Sequence, residues 1–520
     1  MKILVAIANY GTANDRYLSR ILAEFRAMPY DVDLVVTSNL SKAIGDDVEV
    51  RVGLPTRDPR SLPFAHKQIF ADRRESHDLF IYTEDDILIT SRNVSAFLRV
   101  TDVLPEDQLA GFIRSETDPQ GGIHFPDVHF HFHWDAGSVT RIGEHIFAHF
   151  TNPHSGCYAL TKRQLKQAIA SGGFLVPPHG CARQLLETAA TDPYTQCGFR
   201  KMICVSHIEE FIVPHLSNRY VREPLRGGEL SAPASDFYAQ VRALSSLSKK
   251  GNPRSMLFPV ENKVLHRRWS KSYYECCQAD AIALIPKGVK TVLSVGCGWG
   301  LTEERLMQQG MKVTAVPIDA VIAASAKARG IDVVSENDHD LYGLTGCRFD
   351  CLLFLNVLHL VRDPVKFLDF FRPLCPDGCV VASVPNLSKL RRLVRWIQFR
   401  GHDANPRSYQ VHGMHRTTGK LLRQWFRLAG LRPAKVGYEI SKNQEVANRR
   451  SLGLARPILA ETCSILAFAV SLESSKQHLL VRPAVPAGDS ANCCVEDPGT
   501  DKCGVPMASG SNDPANRLGA

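Results

Sequence analysis

The sequence predicts an α/β protein of two domains, and three observations lead there. Short apolar runs ending in polar or glycine-rich clusters alternate with helix-period segments over roughly the first 220 residues, and the alternation resumes from about residue 290. A stretch rich in Gly, Ser, Pro and Lys separates the two series, with Arg226-Gly227-Gly228 and Ser248-Lys249-Lys250-Gly251-Asn252-Pro253 as its clearest pieces. Finally, 520 residues exceed what one hydrophobic core usually supports. The expected division is 1–221, a linker at 222–256 holding a short helix near Asp236 to Leu247, a second domain at 257–486, and a tail at 487–520 with little to pack.

Composition sets the class. Apolar residues at 44% and charged residues at 22% suit a soluble globular chain. The net charge of +9 is spread thinly, and no nucleic-acid partner is expected from it. Its densest run, Lys389 to Arg400, interleaves Arg391, Arg392 and Arg395 with Leu390, Leu393, Val394, Trp396 and Ile397. This reads as an amphipathic helix whose basic face is either solvated or in peripheral contact with an anionic membrane. Met1 to Ala8 is too short for a signal peptide, and Pro457 to Leu472 carries Glu461 and is too short to span a bilayer. The fifteen cysteines form no CxxC pair and no disulfide framework, so reduced thiols and a cytoplasmic location are expected.

In the second series, a strand through Val292, Leu293 and Val295 runs into Gly296, Gly298 and Gly300, and a helix from Leu301 to Gln309 follows. Glycines there let the chain turn sharply and let a ligand approach the backbone, while the helix start offers unpaired N–H groups. Next come a strand at Lys312 to Val316, Pro317-Ile318-Asp319, and a buried-strand run Phe349 to Phe354 leading to Asn356-Val357-Leu358-His359. A helix at Val365 to Leu374, a further strand with Ser383-Val384-Pro385-Asn386, and the loop His412-Gly413-Met414-His415 complete the order. Such alternation implies βαβ units around a parallel sheet.

The run Thr291 to Gly300 resembles motif I of the class I S-adenosylmethionine (SAM) methyltransferases, and the pieces from about 270 to 485 are similar in order to their type 11/12 group. The resemblance implies a Rossmann-like domain and SAM as cofactor. It implies cofactor contacts at Gly296, Cys297, Gly298, Gly300, Asp319 and Asn356, with His359, His412 and His415 the base candidates for a hydroxyl acceptor. Two positions depart from the pattern. Ser294 stands where that family places an acid at the end of the first strand, and Pro317 stands where it places the ribose-binding carboxylate, leaving Asp319 to replace it.

The first series has strands at Lys2 to Ala8 and Val32 to Thr37, helices at Asn14 to Arg26 and Phe64 to Glu75, and a buried strand Asp78 to Tyr82 ending in Thr83-Glu84-Asp85-Asp86. Three successive carboxylates at the end of an apolar strand are costly unless paired or bound to a cation. This order resembles the GT-A fold of nucleotide-sugar glycosyltransferases, with Glu84-Asp85-Asp86 at their DxD position. The resemblance implies a Mn²⁺ or Mg²⁺ ion held by Asp86, with Glu84 on the same metal or on the ribose, and Asn9 and Tyr10 against the nucleotide. It also implies a nucleotide-sugar donor, with a glycan or small-molecule acceptor. Asn152 to Tyr158 reads as an acceptor loop before a helix at Lys162 to Ala170. Val205 to Glu210 reads as a source of a base or a further metal ligand, Glu209 or Glu210.

Val128-His129-Phe130-His131-Phe132-His133-Trp134 alternates, which predicts a half-buried hairpin with its aromatic face inward, a zinc site being the alternative. Three readings of the whole stay open. One is a bifunctional transferase that glycosylates and methylates a glycan, glycolipid or related metabolite. Another is a small-molecule methyltransferase with a non-catalytic N-terminal binding domain. The third is a scaffold whose sites have decayed.

Overall fold

The computed structural model describes residues 1–129, 131–180, 184–222, 231–248, 271–334, 344–387, 409–440 and 463–471, all inside one compact unit, Met1–Lys476. The basic run 389–400, the tail 487–520 and residues 223–230 and 249–256 of the expected linker lie outside the described residues.

The first half is organised on a five-stranded sheet in the order Cys157–Thr161, Leu79–Glu84, Lys2–Asn9, Asp31–Ser38, Val48–Val52. All strands run parallel except Cys157–Thr161. Lys2–Asn9 reads as a continuous apolar run because both its faces are covered, and Ile3 to Ile7 are wholly inaccessible. Helix Asp15–Arg26 buries Leu18, Ile21, Leu22 and Phe25, an i, i+3, i+4, i+7 stripe. The strand order reverses between Lys2–Asn9 and Leu79–Glu84, so the crevice of this sheet opens where Asn9 and Glu84 end their strands. Two four-stranded sheets complete this half, one through Arg200–Cys204 and His145–Phe150, the other through Ile212–Pro214 and Ile113–Thr117.

The second half is a seven-stranded sheet in the order Asp332–Val333, Lys312–Pro317, Thr291–Cys297, Cys351–Leu355, Cys379–Pro385, Cys463–Ser471, Leu431–Ile440. Its first five strands are parallel, and Cys463–Ser471 is antiparallel to both neighbours. The late apolar stretch thus holds an inner strand. The order reverses between Thr291–Cys297 and Cys351–Leu355, again at the end of the most apolar strand. Among the described residues no helix is long and apolar enough to cross a membrane.

Two expectations need correction. Helix Ala234–Leu247 forms, but it is not a tether: Phe237 stacks on Phe125 with centroids 3.7 Å apart, and Asp236, Gln240, Val241 and Leu244 are buried. It joins the halves, since Gln240 Nε2 donates to Ser325 Oγ at 2.8 Å and Arg329 reaches Asp236 at 2.8 Å. Nor is 128–134 a hairpin strand, because its polar rings close turns instead. His129 donates to the Pro126 carbonyl at 2.6 Å and His133 to that of His131 at 2.7 Å, and the strand begins only at Trp134. His133 instead lies flat on Tyr273 of the second half, 3.9 Å between centroids and 1° between planes.

Removing Arg329 leaves the nearly inaccessible Asp236 carboxylate unpaired. Arg329→Met is therefore expected to destabilise the protein by about 3–5 kcal/mol, read from the urea midpoint at constant slope. The double variant Arg329→Met/Asp236→Asn should recover part of that loss. A single-variant cost below about 1 kcal/mol, the range of an exposed pair, would contradict the role given to this contact.

Candidate functional site

At the carboxyl end of Thr291–Cys297 the backbone enters φ +85° at Gly296 and φ +97° at Gly300, conformations a side chain resists, and Gly300 caps helix Leu301–Gln308. Gly298 is constrained differently from the sequence expectation. A Cβ there would meet the Tyr273 carbonyl oxygen at 2.4 Å, so the close approach is by the chain's own segment 272–275. That segment is bolted to the loop: Trp299 N donates to Tyr273 O at 2.9 Å and Trp299 Nε1 to Glu275 O at 2.7 Å. Cys297 is buried, and burial first of all pushes its thiol well above the usual range.

Ser294 is not a lost acid but half of a pair. Its Oγ donates to Glu303 Oε1 at 2.6 Å, both residues being almost inaccessible. The helix after the loop thus places a carboxylate against the end of that strand. Lys271, also buried, donates to Glu275 and, at 2.8 Å, to the Leu355 carbonyl. Gln278 Nε2 donates to Glu275 Oε2 at 2.9 Å, Ser383 Oγ to Gln278 Oε1 at 3.0 Å, and Asn356 N lies 3.0 Å from Ser383 Oγ. Asn356 has φ +51°, a left-handed conformation at the end of Cys351–Leu355. Lysine, glutamate, glutamine and asparagine thus converge on the switch point of the seven-stranded sheet.

Asp319 lies two residues beyond the end of the neighbouring strand Lys312–Pro317 and is buried. One carboxylate oxygen accepts from Val321 N and Ile322 N, both at 2.9 Å, and its carboxylate also takes a bond from the Tyr273 side chain. Burial outweighs these bonds and raises it to about 6. Its first task is thus to hold the turn that leads into helix Ile322–Ala328. His359 is buried, and its carbonyl accepts from His415 N at 2.8 Å. The His415 ring donates to the Val361 and Arg362 carbonyls at 3.0 and 3.2 Å and stacks on Tyr409, which makes it a clamp on the loop after Asn356. His412 ends the short helix Tyr409–His412.

The residues present fit SAM in donor chemistry. Lys271 is a buried cation for a carboxylate, Glu275, Glu303 and Asp319 are acceptors for ammonium or hydroxyl groups, and Ser272 Oγ is buried with no partner among the described residues.

At the other switch point, Asp85 accepts from Asn9 Nδ2 and Asn14 Nδ2, both at 2.7 Å, while Asn9 Oδ1 is buried without a partner among the described residues. Tyr10 is half exposed. Burial and the neighbouring Asp86 charge push Glu84 up to about 8 and Asp85 up to about 7. Asp86 escapes this. Burial would raise it, but hydrogen bonds from His215, at 2.9 Å, and Ser217 hold it below the usual carboxylate range. His215 donates from its other nitrogen to Glu116 at 2.5 Å, and the two carboxylates overcome its burial to hold it protonated up to about 9. The loop 152–158 reaches this cluster, with Glu84 N donating to Gly156 O at 3.0 Å. Glu209 and Glu210 do not join it: Glu210 pairs with Arg99 and Arg92, and Glu209 bonds Tyr238. Sequence reasoning missed Lys271, Glu275, Glu303 and His215.

A family model described as a methyltransferase domain matches residues 268–436. Among curated proteins, the ubiquinone biosynthesis O-methyltransferase of Xylella fastidiosa is 31% identical over 109 residues, 20% of this chain and 44% of that protein. An uncharacterised methyltransferase of Mycobacterium bovis is 32% identical over 123 residues, 22% of this chain and 62% of that protein. The chain thus spans less than two thirds of these relatives. A solved SAM-dependent methyltransferase from Mesorhizobium loti is similar at 19% identity, covering 37% of this chain and 96% of that one with a TM-score of 0.26. Magnesium protoporphyrin IX methyltransferase from Synechocystis PCC 6803 with bound SAH is similar at 16% identity, 37% and 79% coverage and a TM-score of 0.26.

Glu84, Asp85 and His215 all have folded values above their unfolded ones, at about 8, 7 and 9. The folded chain therefore holds extra protons, and stability is lost as pH rises from about 5 to 9, by up to ~1.4 kcal/mol per pH unit for each such proton. The thermal midpoint should fall across that window, and Glu84→Gln should make the fall shallower. A wild-type midpoint that is flat between pH 5 and 9 would contradict the burial assigned to this cluster.

Proposed function

We propose that this protein is a SAM-dependent methyltransferase whose transfer site lies at the switch point of the seven-stranded sheet. The observation that carries the reading is the glycine turn Gly296–Gly300 meeting Lys271, Glu275 and Asn356 at that point, and the methyltransferase-domain match over residues 268–436 supports it. Bound SAM supplies an electrophilic methyl group on its sulfonium. The chain's part is alignment and, for a hydroxyl acceptor, a base. In this reading Lys271 holds the carboxylate of the amino-acid part, and Gly296, Cys297, Gly298 and Gly300 shape the turn beside it. Glu303, steadied by Ser294, and Asn356 complete that end, and Asp319 with Tyr273 borders the ribose. His359 and His415 border the acceptor side, His415 by holding the loop.

Calorimetric titration of SAM into the full chain tests this. Binding is expected; Lys271→Met should weaken it by about 1–3 kcal/mol, roughly 5- to 150-fold, through loss of a charged hydrogen bond. Gly298→Asp should abolish it by displacing the 272–275 segment. Absence of SAM binding to the unmodified, folded chain would overturn the reading.

A second reading is favoured by the other switch point, where three carboxylates, His215 and Asn9, whose buried Oδ1 has no partner among the described residues, come together. We infer there a nucleotide-sugar transferase site in a GT-A-like half spanning 1–221, with Asp86 and Glu84 on Mn²⁺ or Mg²⁺ and Asn9 and Tyr10 toward the nucleotide. The partner half would then span 257–486 and methylate the same glycan or small-molecule product. Hard oxygen ligands suit those ions, which neutralise a diphosphate leaving group. In assays with a panel of nucleotide sugars and Mn²⁺, Asp86→Asn should abolish sugar transfer and leave SAM binding unchanged. Transfer that survives in the variant, or that ignores chelator, would remove the metal assignment.

A further inference from the structure

Strand Arg200–Cys204 ends on Cys204, and the turn Val205–Glu210 follows at once. Across the ladder, Cys204 pairs with Phe147 of the antiparallel strand His145–Phe150, which starts at His145. His207 departs from the helical conformation of its turn (φ −130°, ψ 41°) and lies back over Cys204. As a result His145 Nδ1 and His207 Nδ1 lie 3.9 and 3.8 Å from Cys204 Sγ, and the ligand atoms of all three residues fall within 4.8 Å of one another.

We propose that His145, Cys204 and His207 form a binding site for a borderline-soft divalent cation of the zinc class. One thiolate and two imidazoles select such an ion over Mg²⁺ or Ca²⁺. Tetrahedral zinc with Zn–S near 2.3 Å and Zn–N near 2.0–2.1 Å has S···N edges of about 3.6 Å, so the observed edges need to close by only a few tenths of an ångström. The supporting contacts orient the ligands. Glu144 Oε1 lies 3.7 Å from His145 Nε2, which favours the proton on that nitrogen and turns the Nδ1 lone pair toward Cys204. Ile146 N donates to Ser206 Oγ at 3.1 Å and fastens the turn to the strand. His145 and Cys204 are buried while His207 is half-buried, so an ion enters from the His207 side and keeps a fourth position for water.

A thiol must give up its proton to ligate the ion. Loading is therefore Cys204–SH plus M²⁺ giving Cys204–S⁻–M²⁺ plus one proton released to solvent, with both imidazoles donating lone pairs. The site would fix the turn that leads through strand Ile212–Pro214 to His215, and so the imidazole beside Asp86.

The test is titration of Co²⁺ into the metal-stripped full chain, followed by absorbance. One equivalent should produce a thiolate-to-cobalt charge-transfer band with intense tetrahedral d–d bands, bleached by one equivalent of Zn²⁺ and untouched by excess Mg²⁺. Cys204→Ser should remove the charge-transfer band. His207→Ala, at a half-buried position with little packing to lose, should weaken Co²⁺ binding at least tenfold with an unchanged thermal midpoint of the metal-free protein. If Cys204→Ser does not fold, His207→Ala alone decides. Absence of the band in the parent would overturn the proposal, as would a band undiminished in the variants, which would place the thiolate elsewhere, for instance at Cys276 or Cys277.

Discussion

Arg329 occupies the point where three parts of the protein meet. It bonds Asp236 of the joining helix, donates to the Trp299 carbonyl inside the glycine turn at 2.9 Å, reaches Glu304 at 3.3 Å, and lies over the Trp299 ring 4.9 Å from its centroid. A guanidinium presents several donors in one plane and remains charged when enclosed, which a lysine could not match in this geometry. The turn that shapes the proposed SAM site is therefore not a free loop on a Rossmann-like sheet. Its geometry depends on a cation whose partner carboxylate lies in the helix that packs on Phe125 of the other half. Arg329 thus links the halves to the turn, beside the Gln240–Ser325 bond and the His133–Tyr273 stack.

Both sheets solve the same electrostatic problem at their switch points. A parallel strand buried on both faces ends with its polar groups in a crevice, and side chains placed there lose water. In the second half much of the cost is met by pairing, Lys271 with Glu275 and Ser294 with Glu303, while two backbone N–H groups offset only part of the burial of Asp319. In the first half pairing is incomplete. Asp86 has His215, and Asp85 has two asparagines, but Glu84 is left with a value near 8. In the readings proposed above, that inequality is the argument for a cation in the first crevice and for a zwitterionic, largely organic ligand in the second.

Much of the fold was legible because its signals are local. The apolar runs and their stops placed Lys2–Asn9, Leu79–Glu84, Thr291–Cys297 and helix Lys162–Ala170 within a residue or two. What escaped was carried by distance along the chain. Nothing near Ser294 announces that Glu303 will pair with it, since the contact requires the helix to fold back beside the strand. His215 lies 129 residues from Asp86, and its meaning appears only when strand Ile212–Pro214 is placed. The His/Phe alternation at 128–134 imitates a strand, yet imidazole N–H groups bonded to nearby carbonyls favour turns there. The segment holding Asp236 has linker-like flanks, and only its burial against Phe125 shows it to be a joint.

The joint has a chemical consequence. His133 of the first half is stacked flat on Tyr273, and the Tyr273 side chain bonds Asp319, the acid nearest the proposed ribose position. A ribose hydroxyl that takes the Asp319 carboxylate competes with that phenol, and a phenol released from Asp319 must move while its ring is held by His133 and its carbonyl by Trp299 N. Burial raises Asp319 to about 6, so the carboxylate is a poorly stabilised anion that gains from any additional donor. In the reading proposed above, occupation of the second crevice would thus press on the stack that His133 of the first half makes with Tyr273.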